Sequence, residues 1–190
     1  VLDLRPVPLD HPDVQVMIDE LQAFYAERYG DGDATELRPH EFVAPGGYFA
    51  IGCVDGAAVA CGGWRAREGG GPGLRDGDAE IKRMYVRAGH RGRGYARQLL
   101  AHLEDTAAAA GRRRLVLETG TRQPEAVALY ESEGYAPMEG FGLYRDEPDS
   151  RYYARSLPVD RRAAVGRRDA AGRWSGAPVA PGGGSAPRGE

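Results

Sequence analysis

The sequence predicts an α/β (α+β) chain: a central mixed β-sheet of six to seven strands flanked by helices on both faces. Three observations carry this prediction. Apolar runs of strand type interleave with stretches at helical spacing, in the order β-α-β-β-β-α-β-α-β-β. A mixed sheet of such apolar strands has to be covered on both faces to be buried. The patterning occupies residues 1–157 without internal repeat, and a domain of about 150 residues buries a sufficient core.

Each element has its own signal. Leu2 to Val7 alternates and reads as a strand ended by Pro8. Asp13 to Tyr29 carries Val14, Met17 or Ile18, Leu21, and Phe24 or Tyr25 at helical spacing, with Gly30 as the stop. Pro39 to Phe42 reads as a short helical turn. Tyr48–Val54 and Ala57–Arg67 flank Asp55-Gly56, a two-residue hairpin signal. A simple ladder then sets Cys53 opposite Ala58 and Cys61 opposite Ala50, so the two cysteines do not meet. Glu68 to Asp78 is glycine-rich and polar, an exposed loop. Ala79–Val86 is a strand. Alternation there puts Glu80, Lys82 and Met84 on one face and Ile81, Arg83 and Tyr85 on the other. Leu99, Leu100, Leu103 and Ala107 mark a helix ending near Gly111. Arg114–Thr119 is a strand, Pro124–Glu133 a helix, Met138–Leu143 a strand, and Tyr152–Leu157 the last strand.

The most informative stretch is His90-Arg91-Gly92-Arg93-Gly94-Tyr95-Ala96, between a strand and a helix. A glycine loop opening a helix offers free backbone N–H groups and the positive end of the helix dipole, a site for phosphate. Gly92 and Gly94 allow close backbone approach, and Arg91 and Arg93 add charge. No Gly-Lys-Ser/Thr follows, so this is not a Walker loop. Arg97 stands where a dinucleotide fingerprint needs its third glycine. The pattern that fits is Arg-x-x-Gly-x-Ala, at Arg91, Gly94 and Ala96. Downstream, Gln123-Pro124-Glu125-Ala126-Val127-Ala128-Leu129-Tyr130 is followed by Gly134-Tyr135. Together these two motifs resemble the GNAT superfamily of acetyl-CoA-dependent N-acetyltransferases, whose motifs are Gln/Arg-x-x-Gly-x-Gly/Ala and Asn-x-x-Ala-x-x-Leu-Tyr. Gln123 stands in place of Asn. The likeness covers roughly residues 2–157, and the element order is that of the superfamily.

The resemblance implies acetyl-CoA as co-substrate and assigns roles residue by residue. Arg91, Gly92, Arg93, Gly94, Tyr95 and Ala96 would hold the pyrophosphate. Met84, Tyr85 and Val86 would face the pantetheine arm where the strands corresponding to Met84–Val86 and Leu115–Thr119 splay, and Gln123 and Ala126 would touch the cofactor. Glu80 matches the Glu-Ile strand start that carries a general base in the histone-acetyltransferase branch, with a structural carboxylate as its alternative. Tyr130 would protonate the leaving thiolate, with a core tyrosine as its alternative. Trp64, Arg65, Arg83, Tyr144 and Arg145 are candidates for an acceptor cleft, and arginines suit a carboxylate-bearing amine. The implied reaction is direct acetyl transfer to a primary amine of a small molecule or peptide. The rival is a non-catalytic acyl-CoA-binding sensor, which would need neither Glu80 nor Tyr130.

Composition narrows the partners. The chain carries 25 Lys+Arg and 28 Asp+Glu, a formal charge of −3. Residues 158–190 hold six arginines against Asp160, Asp169 and Glu190, so the rest carries −6. An acidic domain argues against nucleic acid as partner. The 158–190 segment, rich in Pro, Gly and Arg, cannot bury enough apolar surface to offset its ordering entropy and reads as a disordered tail. No apolar run approaches the ~18 residues of a membrane span, and no secretory signal is visible. Two cysteines suit reduced thiols and a cytoplasmic protein. His11, His40, His90 and His102 show no metal-ligand spacing, so no metal is expected. A homodimer is compatible with all of this.

Overall fold

A computed structural model describes residues 1–69 and 71–158. The expected disordered tail lies outside the described residues except for Pro158. The described elements are β1 (Asp3–Pro6), α1 (Pro12–Tyr29), β2 (Gly47–Val54), β3 (Ala57–Arg67), β4 (Asp78–Val86), α2 (Tyr95–Ala109), β5 (Arg114–Gly120), α3 (Pro124–Ser132), β6 (Ala136–Pro137) and β7 (Ser150–Ser156). Short 3₁₀ turns lie at Pro39–Phe42 and Ala88–His90. The seven strands form one mixed sheet in the order β1-β2-β3-β4-β5-β7-β6. Among the described residues no helix is long and apolar enough to cross a membrane.

Local chemistry fixes the helices. Proline opens α1, the His11 side chain accepts from the Asp13 N–H, and Gly30 closes it in the left-handed conformation. Val14, Met17 and Leu21 are its buried stripe, and Val14 and Met17 pack with Phe42, Phe49, Ile51 and Cys61 on one face of the sheet. On the other face Leu99, Leu100, Leu103 and Ala107 of α2 join Trp64, Ile81, Leu115, Leu117 and, from α3, Tyr130. Helices therefore cover both faces, as the strand pattern requires.

Three details depart from the sequence expectation. Asp55 and Gly56 form the hairpin turn with φ of 50° and 82°, and Cys53 does oppose Ala58. A bulge between Gly52 and Cys53 then shifts the ladder, so Cys61 opposes Ile51 rather than Ala50. In β4 a second irregularity lies opposite Cys61–Gly63, and Arg83 sits there with φ of 52°. The extra residue reverses the alternation beyond it. Met84 and Val86 consequently join Ile81 on the α2 face, and Tyr85 turns to the α1 face. Finally, the expected Met138–Leu143 strand is absent, and the partner of β7 is the two-residue β6. Pro137 has no N–H to extend the ladder. Beyond it Phe141 turns inward, its ring 5.2 Å from that of Tyr152 in a small cluster with Val116.

The joint between β4 and β5 is short and heavily fastened. Buried Asp78 receives Arg114 Nε at 2.8 Å and Nη2 at 2.6 Å, and also the Arg75 N–H at 2.8 Å. Arg114 Nη2 donates in addition to the Gly73 carbonyl at 2.8 Å. Removing one partner of a buried ion pair leaves the other charge uncompensated, at about 3–5 kcal/mol. Asp78→Ala should therefore lower the free energy of unfolding by about 3–5 kcal/mol in urea titrations. A loss below about 1 kcal/mol, the range of exposed pairs, would mean that this clamp does not hold the joint.

Candidate active site

Parallel strands β4 and β5 pair only at Asp78–Arg114, Ala79–Leu115 and Glu80–Val116. Beyond these positions they diverge, while β4 stays on β3 as far as Val86 and β5 stays on β7 as far as Gly120. The facing edges past Glu80 and Val116 thus carry backbone groups without a ladder partner, and such groups need partners wherever water is excluded. The opening expected at Met84–Val86 is present, but Leu115 lies below it, in the paired region.

At the head of β4 the chain turns through Ala88–His90 into the glycine loop. Gly92 and Gly94 have φ of 73° and 77°, a backbone that favours glycine, and a Cβ at either would meet nothing within 4 Å. Gly94 is the N-cap of α2 and no side chain caps that end. The first turn of α2 therefore keeps N–H groups without an intrahelical or capping partner. Arg91 does not project freely. Its Nε donates to the Val86 carbonyl at 3.0 Å, and its guanidinium lies 5.0 Å from the Phe24 ring centre and 5.7 Å from that of Tyr85. Both arginines are exposed, but Arg91 fastens the loop to β4 and α1, whereas Arg93 donates only to the nearby Gly89 carbonyl at 3.3 Å. Tyr95 and Ala96 pack in part against the α2-side core.

The divergence opens into a cavity of about 450 Å³. The C-terminal turn of α1, the segment 31–34, the strand edges, the start of α3 and the segment 144–150 surround it. Arg83 and Tyr144, two of the five acceptor-cleft candidates, line it. Arg83 pairs with Asp33 and donates through Nη2 to the Thr35 carbonyl at 3.1 Å, while its Nε is buried without a partner. The Tyr144 hydroxyl accepts from the Ala34 N–H at 2.6 Å. Gln123 also lines the cavity, but it does not cap α3 through its side chain. Being one carbon longer than Asn, it reaches across to the Tyr29 hydroxyl at 3.3 Å.

Other candidates lie elsewhere. Trp64 is buried against α2 and donates to Thr106 Oγ1 at 3.0 Å, so it belongs to the core. Arg65 is buried, with Nε 2.9 Å from Glu80 Oε2 and Nη1 2.8 Å from Glu41 Oε2. Arg145 is exposed beside Asp146. Glu80 does not reach the cavity wall. Its oxygens face Arg65, Lys82 Nζ at 3.4 Å and Arg67 at 3.6 Å. The period-2 pattern did place Glu80 and Lys82 on a common face, but it gave no sign that Arg65 arrives from β3 to occupy the carboxylate.

Tyr130 is buried on α3, its ring 5.6 Å from that of Tyr135 and 6.5 Å from that of Tyr153. Burial pushes its hydroxyl well above the ordinary phenol range, so it holds its proton. Apart from Arg83, Gln123 and Tyr144, the cavity lining was not among the residues singled out in the sequence, and two of the residues missed, Tyr25 and Glu118, are titratable groups shifted by their surroundings. Tyr25 lies within electrostatic reach of Arg83, Asp33, Tyr130 and Glu118, and burial raises it strongly. Glu118, on β5 just past the divergence, accepts from Ser150 Oγ at 2.8 Å. Burial raises its carboxyl, Ser150 and Lys82 oppose that rise, and Asp33 and Glu80 add to it. An acid inside the predicted strand, directly after the apolar run Leu115–Leu117, was the available signal.

Comparison with known proteins agrees with this geometry. Residues 14–135 match the acetyltransferase (GNAT) family. The chain is 34% identical over 153 residues to an IAA acetyltransferase of Azospirillum brasilense, spanning 80% of this chain and 95% of that protein. It is 39% identical over 80 residues to the uncharacterized N-acetyltransferase YsnE of Bacillus subtilis strain 168, 41% of this chain and 53% of that one. A solved Klebsiella pneumoniae protein, proposed to be an acyl-CoA N-acyltransferase, superposes with a TM-score of 0.69 at 28% identity, covering 83% of this chain and 99% of the other. The chain belongs to the GNAT acetyltransferase family and is an N-acetyltransferase.

The family implies acetyl-CoA as co-substrate, and the residues present fit it. The uncapped α2 N-terminus and its open glycines suit a pyrophosphate, and the unpartnered strand edges suit the amides of a pantetheine arm. Gly94→Asp tests the fit. Asp tolerates a left-handed backbone better than most residues, so the fold should survive while a carboxylate stands beside the phosphates. Calorimetry should show acetyl-CoA affinity reduced at least about tenfold, ~1.4 kcal/mol. Affinity within about threefold of wild type would remove the loop from the site.

Proposed function

We propose that this enzyme transfers an acetyl group from acetyl-CoA to a primary amine of a small molecule or peptide, directly and within one ternary complex. The observation that carries the reading is the divergence of β4 from β5: the parted strands line a cavity of mixed polar and aromatic character, and β4 leads on through the glycine loop into the uncapped end of α2. One strand, β4, thus links an anion-binding helix end to an acceptor-sized space.

Acetyl-CoA supplies an activated acetyl thioester. The protein has three tasks. An amine with a pKa of ~8–10.4 is largely protonated at pH 7 and must lose a proton before it can attack. Charge developing on the carbonyl oxygen needs donors, and the backbone N–H groups around Met84, past the Arg83 bulge, are suited to that. The departing thiolate needs a proton because a thiol of pKa ~8.5 leaves a good nucleophile behind. We assign the last task to Tyr130, whose buried hydroxyl is neutral and lies on the element that follows β5. An acyl-cysteine route is disfavoured. Cys53 and Cys61 are both buried in the α1-side core without an adjacent histidine among the described residues, and burial pushes the Cys61 thiol up to about 12.

Tyr130→Phe keeps the ring and removes only the proton donor. Thiol release followed under saturating substrates should show kcat reduced ~10²–10⁴-fold, with acetyl-CoA affinity unchanged by calorimetry. Wild-type kcat, with chemistry shown to be rate-limiting, would return Tyr130 to the core. Acetyl-CoA binding by the wild type without thiol release to any amine would favour the sensor reading instead.

A further inference from the structure

The cavity beneath the divergence has a wall chemistry that the acetyltransfer reaction alone does not dictate. Its two cations are already engaged. Arg83 is held by Asp33 and the Thr35 carbonyl. Lys82 lies against Glu80, with Asp33 and Glu118 within electrostatic reach. Acids prevail towards solvent: Asp31 and Glu147 are exposed and Asp149 is half-buried. Arg122 offsets only the last of these, at 3.4 Å. Tyr25, Tyr29 and Tyr144 supply the aromatic walls. Glu118 lies at the inner end, where β5 has just left β4, and Ser150 is its one side-chain donor among the described residues.

We propose that Glu118 is the proton acceptor for a cationic primary amine bearing no carboxylate, bound between α1 and the diverging strands. This deepens the acetyltransfer reading and rests on it. An ammonium group entering past Asp31 and Glu147 is attracted by acids and by tyrosine faces. A carboxylate on the same molecule would meet those acids and find the charge of both cations already neutralised, with the buried Arg83 Nε–H as the guanidinium donor left open and a desolvation cost that it only partly offsets. Of the three arginines that suggested a carboxylate in the sequence, Arg65 is taken by Glu80 and Glu41, Arg83 is paired with Asp33, and Arg145 lies off the cavity lining beside Asp146.

The step balances in protons and electrons. The ammonium gives one proton to the Glu118 carboxylate, which later passes it to solvent. The freed nitrogen lone pair forms the bond to the acetyl carbonyl carbon, and the carbon–sulfur bond breaks with its electrons on sulfur. Sulfur takes the Tyr130 proton, and the second proton lost by nitrogen restores Tyr130. Burial keeps Glu118 a stronger proton acceptor than an exposed carboxylate. From β4 Lys82 opposes that effect and Glu80 reinforces it, as does Asp33 from the segment after α1. Tyr25, Tyr144 and Tyr152 face the group from α1, the 144–150 segment and β7, and all three are raised, so they stay neutral at working pH. The sign follows: activity needs ionised Glu118 and falls as pH drops through its elevated pKa.

Two measurements test this. The first needs no mutation. Thiol release is compared for tyramine against tyrosine, histamine against histidine, and cadaverine against lysine. Each amine should exceed its amino acid in kcat/KM by at least about tenfold. Equal or better turnover of the amino acids overturns the acceptor class, as does the absence of turnover of every amine by a protein that binds acetyl-CoA. The second is Glu118→Gln, near-isosteric and still able to accept from Ser150. At pH 7 its kcat/KM for the best amine should fall about 10²-fold, and it should climb with pH as the amine deprotonates by itself. Acetyl-CoA affinity should stay within about threefold. A loss equal at every pH, or wild-type activity, overturns the role of Glu118. Failure of the wild type to bind acetyl-CoA would instead overturn the acetyltransfer reading beneath it.

Discussion

Two parallel strands joined at one end and apart at the other set the terms for every other feature of the site. Asp78 and Arg114 clamp β4 to β5 at the joint, and pairing stops after Glu80 and Val116. Each strand keeps a full partner on its outer side, β3 for β4 and β7 for β5, so neither loses its place in the sheet. The cost of separation falls on the inner edges, whose backbone groups are left for a ligand. A bulge at Arg83 begins close to the divergence and re-aims the strand, turning Met84 towards α2 and Tyr85 under Arg91.

The buried charges answer to the same geometry. Arg65, Arg67 and Lys82 surround Glu80 on the paired side of the divergence, whereas Glu118 faces the open side with Ser150 as its side-chain donor. Two carboxylates a short distance apart are thereby given different surroundings. A group enclosed by cations suits a structural part, and one pushed upward by burial suits proton transfer. The bulge at Arg83 carries a left-handed backbone that a non-glycine residue adopts at a cost of order 1–3 kcal/mol. The Asp33 pair and the Thr35 carbonyl hold it there and draw the segment after α1 over the cavity.

Much of this was legible in the sequence because it is local. Helix boundaries followed proline, glycine and apolar spacing: α1 stops at Gly30 and α2 buries Leu99, Leu100, Leu103 and Ala107. The glycine loop declared itself by composition and by its place between strand and helix. What was not legible depends on contacts between distant segments. No local pattern says that Arg65 meets both Glu80 and Glu41, that Trp64 reaches Thr106, or that Asp33 crosses to Arg83. The bulges were hidden for a related reason. One extra residue leaves composition untouched, yet it moved the partner of Cys61 and reversed the faces of Met84 and Tyr85. Glu118 was visible as an acid in an apolar strand, but its surroundings, Ser150 and Lys82, come from other strands.

The central claim is that unpartnered backbone between β4 and β5, together with the start of α2, receives acetyl-CoA. Amide hydrogen exchange with and without saturating acetyl-CoA tests it most directly. The account predicts ligand-induced protection concentrated at 84–86, 92–97 and 117–119, with little change in the β2–β3 hairpin. Binding that protects the hairpin or the β6–β7 edge while leaving those three segments unchanged would contradict it.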